Sequence, residues 1–270
     1  MKILLRNNDL NEALSGISNI GFVPTMGSLH KGHISLIKKS LNKCNKTVVS
    51  IFVNPTQFNN KNDYKKYPRN IKKDLKILKR LKVNFVYIPN KNQVYGSKNK
   101  IKINLSKKDK ILCARYRKGH FEGVIDVMCR LTNIVKPSKI FMGEKDFQQL
   151  ILVKKYIENN FKSKIVLCKT IRDKNKLALS SRNLLLKESD QIKAGKIART
   201  LISFKKKFLK EKITKKLILT KKSELEKLYS INVEYLEIRN KNNLRLSNRM
   251  NNSKIFLAYY LGNIRLIDNF

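Results

Sequence analysis

Histidine is scarce in this chain of 270 residues: there are three, against 60 lysines and arginines. Acidic residues are few as well, 19, which leaves a formal net charge of +41. No apolar run approaches the ~18 residues that a membrane-crossing helix requires. The opening stretch MKILLRNNDLNEALSG has a four-residue apolar run and soon meets Asp9 and Glu12, so a secretory signal peptide is not expected. The four cysteines, Cys44, Cys113, Cys129 and Cys168, contain no CxxC pair. That spacing argues against a disulfide framework and predicts reduced thiols in a cytoplasmic protein. Against these shortages, 41% of the chain is hydrophobic and 29% charged. A real core is therefore expected, in one large domain or two modest ones.

A basic excess of this size is the usual footprint of nucleic-acid binding. Here the lysines and arginines do not gather into an arm, and no aromatic-interleaved RNA motif accompanies them. Lys, Asn and Ile recur on helix faces with no binding pattern, as compositional drift produces. No dedicated nucleic-acid partner is expected, although a cationic field helps draw in anionic substrates.

The first two-thirds of the chain alternates strand-like and helix-like segments. Ile20–Thr25, Thr47–Val53, Val83–Ile88, Ile140–Met142 and Ile165–Thr170 read as short buried strands. Between them, helices are predicted from near His33, over Ile71–Leu81, over Phe121–Val135 up to Pro137, and over Asp146–Ile157. This alternation predicts a parallel α/β sheet of Rossmann-like type with helices on both faces. After Arg172 the pattern changes to a polar loop (Asp173–Leu186), two lysine-rich helices (Glu188–Leu209, Ile213–Tyr229) and strands at Ile231–Ile238, Lys254–Leu261 and Ile264–Ile267. A smaller α+β domain is expected there, giving domains 1–172 and 173–270.

The histidines sit in two glycine-containing segments, PTMGSLHKGH (Pro24–His33) and KGHFEGV (Lys118–Val124). Gly27 and Gly32 permit close backbone approach. N–H groups at the start of the following helix can receive a phosphate. His30 and His33, three residues apart, would share a face if the helix began by His30, and could then meet charge developing at a phosphorus atom. No nearby Cys or Asp completes a metal set, so no protein metal site is expected. In FVNPTQF, Asn54 and Gln57 follow a buried strand, where α/β proteins place ligands. In MGEKDFQQL, Gly143 permits close approach to a base or sugar, Asp146 can accept from a ribose hydroxyl, Lys145 can touch phosphate, and Gln149 lies one turn beyond. LALSSRN offers Ser180, Ser181 and the forked cation of Arg182 on a loop able to close over a triphosphate.

Taken in order and spacing, PTMGSLHKGH, VVSIFVNPTQF, the YPR of Tyr67–Arg69, KGHFEGV, FMGEKDFQQL, LALSSRN and the terminal LGNIRLIDN resemble the pantothenate synthetase (pantoate–β-alanine ligase) family over nearly the whole chain. The resemblance implies a nucleotidyltransferase-type Rossmann domain, a C-terminal lid domain and a homodimer. It also implies ATP as co-substrate, with Mg²⁺ shielding its β- and γ-phosphates, and a reaction through pantoyl adenylate. By matched position it implies an ATP loop of Met26, Gly27, Ser28, Leu29, His30, Lys31, Gly32 and His33, with His33 as proton donor and His30 beside it on the phosphates. Further ATP contacts would come from Gly143, Glu144, Lys145, Asp146, the backbone of Ile171, and Leu179, Ser180, Ser181 and Arg182. Gln57 would meet both pantoate and β-alanine, and Gln149 pantoate; Asn54 and Tyr67 rank behind them. His120 is expected to order the pocket wall or dimer region. Lys31 stands where the family commonly has an acid, and Lys118 where it often has proline. The His-x-Gly-His loop by itself leaves another adenylyl transferase open; FVNPTQF and GEKDFQQL speak against one.

Overall fold

In a computed structural model of the chain, residues 1–59, 61–96 and 103–270 are described. They divide into two compact units. The first comprises Met1–Glu144 and Gln149–Lys169; the second, Lys145–Gln148 and Thr170–Phe270.

The first unit runs β1 (Lys2–Leu4), α1 (Asn7–Leu14), β2 (Ile20–Thr25), α2 (Lys31–Lys43), β3 (Lys46–Ile51), α3 (Lys61–Lys66), α4 (Ile71–Arg80), β4 (Phe85–Tyr87), α5 (Lys91–Tyr95), α6 (Cys113–Tyr116), α7 (His120–Val135), β5 (Lys139–Gly143), most of α8 (Phe147–Asn160) and β6 (Lys164–Cys168). Its sheet has the order β1-β4-β3-β2-β5-β6, with parallel pairing throughout. Alternate side chains leave opposite faces of a strand. Val23, Val49, Val86 and Phe141 pack on one face with Leu36 and Ile37 of α2 and Leu78 of α4. Phe22, Val48, Tyr87 and Ile140, one residue out of phase, are fully buried on the other. There the Tyr87 hydroxyl donates to the Asn7 side chain of α1, and α1 packs with α7. Both faces being covered explains why these strands read as continuous apolar runs.

Helix limits follow local chemistry. Asn70 caps α4 by accepting from the Lys73 N–H at 3.0 Å. α7 closes on Lys136 in the left-handed region, just ahead of Pro137. The connection from β2 turns toward β3, whereas β5 returns to the opposite side of β2. The carboxyl ends of β2 and β5 therefore flank the point where strand order reverses, the usual ligand crevice of such sheets.

The second unit contains α9 (Glu188–Lys207), α10 (Lys215–Tyr229) and an antiparallel sheet of β7 (Asn232–Asn240), β8 (Ser253–Leu261) and β9 (Ile264–Asn269). Ile255, Leu257, Tyr259 and Leu261, one face of β8, join Ile197, Leu201 and Phe204 of α9 and Leu225 of α10 in its core. Phe256, on the other face, meets Phe147 with ring centroids 5.9 Å apart. The structure thus divides the chain after Lys169 and gives Lys145–Gln148 to the C-terminal unit.

Candidate active site

β2 delivers the chain into Met26–His30, the loop ahead of α2. Two consecutive residues there, Gly27 and Ser28, have positive φ (+78° and +53°). The buried carboxylate of Asp74, from α4, accepts from the Ser28 N–H at 2.8 Å and the Leu29 N–H at 2.7 Å. Burial pushes this carboxyl up, and the bonds from Leu29 and Ser28 oppose that shift. A β-carbon on Gly27 would stand 3.0 Å from Asp74 Oδ2, so a larger residue would crowd that carboxylate besides straining a backbone at positive φ.

The helix begins at Lys31, and His30 is its N-cap in extended conformation. His30 and His33 nevertheless come together, their ring centroids 4.1 Å apart. They form a capping box built from imidazoles. His30 Nδ1 accepts from the Gly32 N–H at 3.1 Å, and His33 Nδ1 accepts from the His30 N–H at 3.4 Å. A ring nitrogen that accepts carries no proton, so each neutral ring holds its proton on Nε2. The Gly27 N–H is taken by Thr25 Oγ1 at 3.1 Å. The N–H groups of Gly27, Ser28, Leu29, His30 and Gly32 are therefore all committed within the protein, and the loop offers fewer backbone donors to a ligand than the sequence suggests.

Gln57 closes a 3₁₀ turn, Pro55–Gln57, after β3. Its side chain donates from Nε2 to Met26 Sδ at 3.0 Å and accepts at Oε1 from Asn54 Nδ2 at 3.2 Å. Asn54 is buried, donates also to the Gly123 carbonyl at 3.1 Å, and accepts from the Tyr95 hydroxyl at 2.7 Å. Gly143 ends β5, and a β-carbon placed on it would meet nothing within 4 Å, so its outer side is open. Gln149 and Glu144 are half-buried, and Tyr67 is buried with its ring edge-on to Phe58 at 5.6 Å.

In the C-terminal unit, Ile171 and Leu179 are brought together by a turn whose ends bond through Leu179 N–H and Ile171 C=O at 3.0 Å. Asp173 Oδ1 tightens that turn by accepting from the N–H groups of Asn175 and Leu177. Ser180 caps the 3₁₀ turn Ser181–Leu185, accepting at Oγ from the Arg182 N–H at 3.2 Å. Arg172 forks onto buried Asp268 at 2.6 and 2.8 Å. Burial pushes the Asp268 carboxyl up and Arg172 pulls against it. Asn269 donates to the Lys145 carbonyl at 2.8 Å and accepts from Lys254 Nζ at 2.8 Å. Lys145 Nζ lies 3.5 Å from the half-exposed carboxylate of Asp146.

In the first unit Asp74 holds Ser28 and Leu29 and Tyr95 holds Asn54, and in the second unit Asn269 holds Lys145; none of the three stood out in the sequence as a site residue. Asp74 resembles any acid in a lysine-rich helix; only its partners some 45 residues earlier distinguish it. Among the described residues, no three His, Cys, Asp or Glu side chains gather to hold a metal ion, and no helix is long and apolar enough to cross a membrane.

Comparison with known proteins identifies the family. The family model for pantoate-beta-alanine ligase matches residues 2–270. A pantothenate synthetase of Flavobacterium psychrophilum is 41% identical over 269 residues, covering 96% of this chain and 94% of its own. The crystal structure of pantothenate synthetase from Thermus thermophilus superposes with a TM-score of 0.92 at 29% identity, covering 100% of this chain and 99% of that one. The Francisella tularensis pantoate-beta-alanine ligase, solved with beta-gamma ATP and beta-alanine, gives 0.84 at 36% identity, covering 100% and 97%. On sequence and on structure alike, the chain belongs to the pantoate–β-alanine ligase family.

Proposed function

We propose that this protein condenses (R)-pantoate with β-alanine at the expense of ATP, through an enzyme-bound pantoyl adenylate. The observation that carries the reading is the His30–His33 pair at the strand-order reversal, with Gln57 against Met26 of the same loop. In the first step the pantoate carboxylate attacks the α-phosphorus and pyrophosphate departs. In the second, the β-alanine amine attacks the acyl carbon, the bond to phosphate breaks and AMP leaves. Adenylation makes the carboxyl oxygen a good leaving group, and the protein then supplies alignment.

The loop Met26–His33 is assigned to ATP. Because Nδ1 of both rings faces the loop backbone, each ring presents its proton on Nε2. That fits His33 as proton donor and His30 as a second donor to phosphate oxygens. Gly143, Glu144, Lys145, Asp146, the Ile171 backbone and Leu179–Arg182 are assigned to the nucleotide as well, the C-terminal unit acting as the lid. The open side of Gly143 suits a base or sugar. Gln57 is assigned to pantoate and β-alanine, and Gln149 to pantoate.

Mg²⁺ ordinarily enters such sites on substrate phosphates with one or two carboxylates. The half-exposed carboxylate of Asp146 fits that mode. When bound it would offset charge on the departing pyrophosphate. A cytoplasmic setting accords with four cysteines kept as thiols, and a homodimer with the family resemblance.

The purified protein incubated with ATP, pantoate and Mg²⁺ should yield AMP and pyrophosphate only when both substrates are present, and pantothenate once β-alanine is added. ATP turnover that never leads to pantothenate would reject the reading.

A further inference from the structure

His120 carries no role in the reaction just described, yet its bonding is unusually complete. It is buried at the first position of α7, which Gly119 enters with φ +77°. Its Nδ1 lies 2.7 Å from the main-chain carbonyl of Gln57, and its Nε2 lies 2.8 Å from Arg117 Nη1. Arg117 Nη2 reaches toward the same carbonyl at 3.5 Å. A carbonyl only accepts and a guanidinium only donates. These two partners fix the ring as the neutral Nδ1–H tautomer, opposite to that of His30 and His33. A second ring proton would point at a cation.

We infer that His120, backed by Arg117, is a positioning residue that sets the backbone of Gln57 and with it the carboxylate subsite. The inference rests on the assignment of Gln57 to pantoate and β-alanine. The turn is gripped from two sides. On the side-chain side, the Tyr95 hydroxyl donates to Asn54 Oδ1, and Asn54 Nδ2 donates to Gln57 Oε1. On the main-chain side, the His120 ring holds the carbonyl, and α7 presses so close that a β-carbon on Gly123 would stand 2.5 Å from the Thr56 oxygen. The segment KGHFEGV is in this light one device: Gly119 turns the chain, His120 bonds the turn, and Gly123 lets the helix abut it.

The test compares H120A, H120N and H120Q by steady-state kinetics. Asparagine places an amide N–H near the Nδ1 position and can still donate to Gln57; glutamine places its amide near Nε2 and cannot. H120A should raise KM for pantoate and β-alanine about tenfold, the effect of removing the shortest hydrogen bond to a part-buried carbonyl, while KM for ATP stays within about twofold. H120N should recover most of the loss and H120Q little. If H120A does not fold, the ranking of H120N above H120Q decides. Equal H120N and H120Q, an unchanged pantoate KM in H120A, or a parallel rise in the ATP KM would overturn the inference. A wild-type protein that makes no pantothenate would overturn the reaction assignment first, and this inference with it.

Discussion

Gly123→Ala isolates the contact between α7 and the Pro55–Gln57 turn. The new methyl carbon would stand 2.5 Å from the Thr56 carbonyl oxygen, 2.8 Å from its carbon and 3.0 Å from the Gln57 nitrogen. All three are backbone atoms, so no side-chain rotation relieves the clash. Ordinary contact requires roughly 0.9 Å more separation from that oxygen, and either α7 or the turn must supply it. α7 is buried along most of its length, from Phe121 to Val135, and is the stiffer element. The turn, with Thr56 exposed, should therefore move and take Gln57 with it. A displacement near 1 Å at a substrate-positioning group costs about 10²-fold in rate. Stability should change much less. Overpacking costs about 1–3 kcal/mol, and alanine regains about 1 kcal/mol over glycine in a helix interior. Pyrophosphate release with both substrates saturating, measured beside urea denaturation, separates the two effects. A variant with near-normal turnover, or one whose activity falls only in proportion to its folded fraction, would refute the reasoning.

His33→Ala should lower the pyrophosphate-forming rate on the order of 10²–10³-fold through loss of a donor to the developing phosphate charge; a near-normal rate in single turnover would remove His33 from the chemistry. Arg172→Ala leaves the Asp268 carboxylate buried without its fork-shaped partner, and should cost about 3–5 kcal/mol in the urea midpoint analysis; a loss under about 1 kcal/mol would show the pair to be dispensable. Cys129 is pushed up to about 11, chiefly by burial, so at pH 8 it remains a neutral thiol. The stability this lends is complete below the unfolded thiol's pKa and fades as pH rises through about 11. Because the other three thiols are buried, brief alkylation of the native protein at pH 8 should label Cys44, the one partly exposed thiol, and spare them, as peptide mass mapping would show.

The alternating strands were legible because the central strands are buried on both faces. Phe22 and Val23 point opposite ways, yet both are fully covered, so the run IGFVPT needs no polar alternation. β1 was not legible: Lys2–Leu4 is a three-residue edge strand, defined only by pairing with Phe85–Tyr87 far along the chain. The start of α2 was read two residues late, since its cap is an imidazole rather than a Ser, Thr, Asp or Asn side chain. Likewise Val83–Ile88 becomes Phe85–Tyr87, matching the length of its edge neighbour β1, and Ile165–Thr170 becomes Lys164–Cys168, matching β5. Of the residues assigned to ligands, the histidines, Gln57, Asp146 and Arg182 stood out by type and spacing, and Met26, Ile171 and Leu179 only through the family resemblance. Those that hold them, Asp74 and Asn269 above all, act across 45 and 124 positions on backbone atoms. Backbone partners leave no mark on local composition.

The hydrogen bond from Asn269 to the Lys145 carbonyl also bears on how the protein is made. Lys145–Gln148 emerges from the ribosome long before β9, but its unit is closed by residues at the far end of the chain. Domains tend to fold as they are synthesised, beginning with the N-terminal one. The parallel sheet can therefore assemble on the nascent chain while this short segment still lacks its partners in β8 and β9. In nascent chains stalled behind a C-terminal linker long enough to fill the exit tunnel, nucleotide-dependent protection of Lys145 from proteolysis should appear only once the linker places Asn269 outside the ribosome.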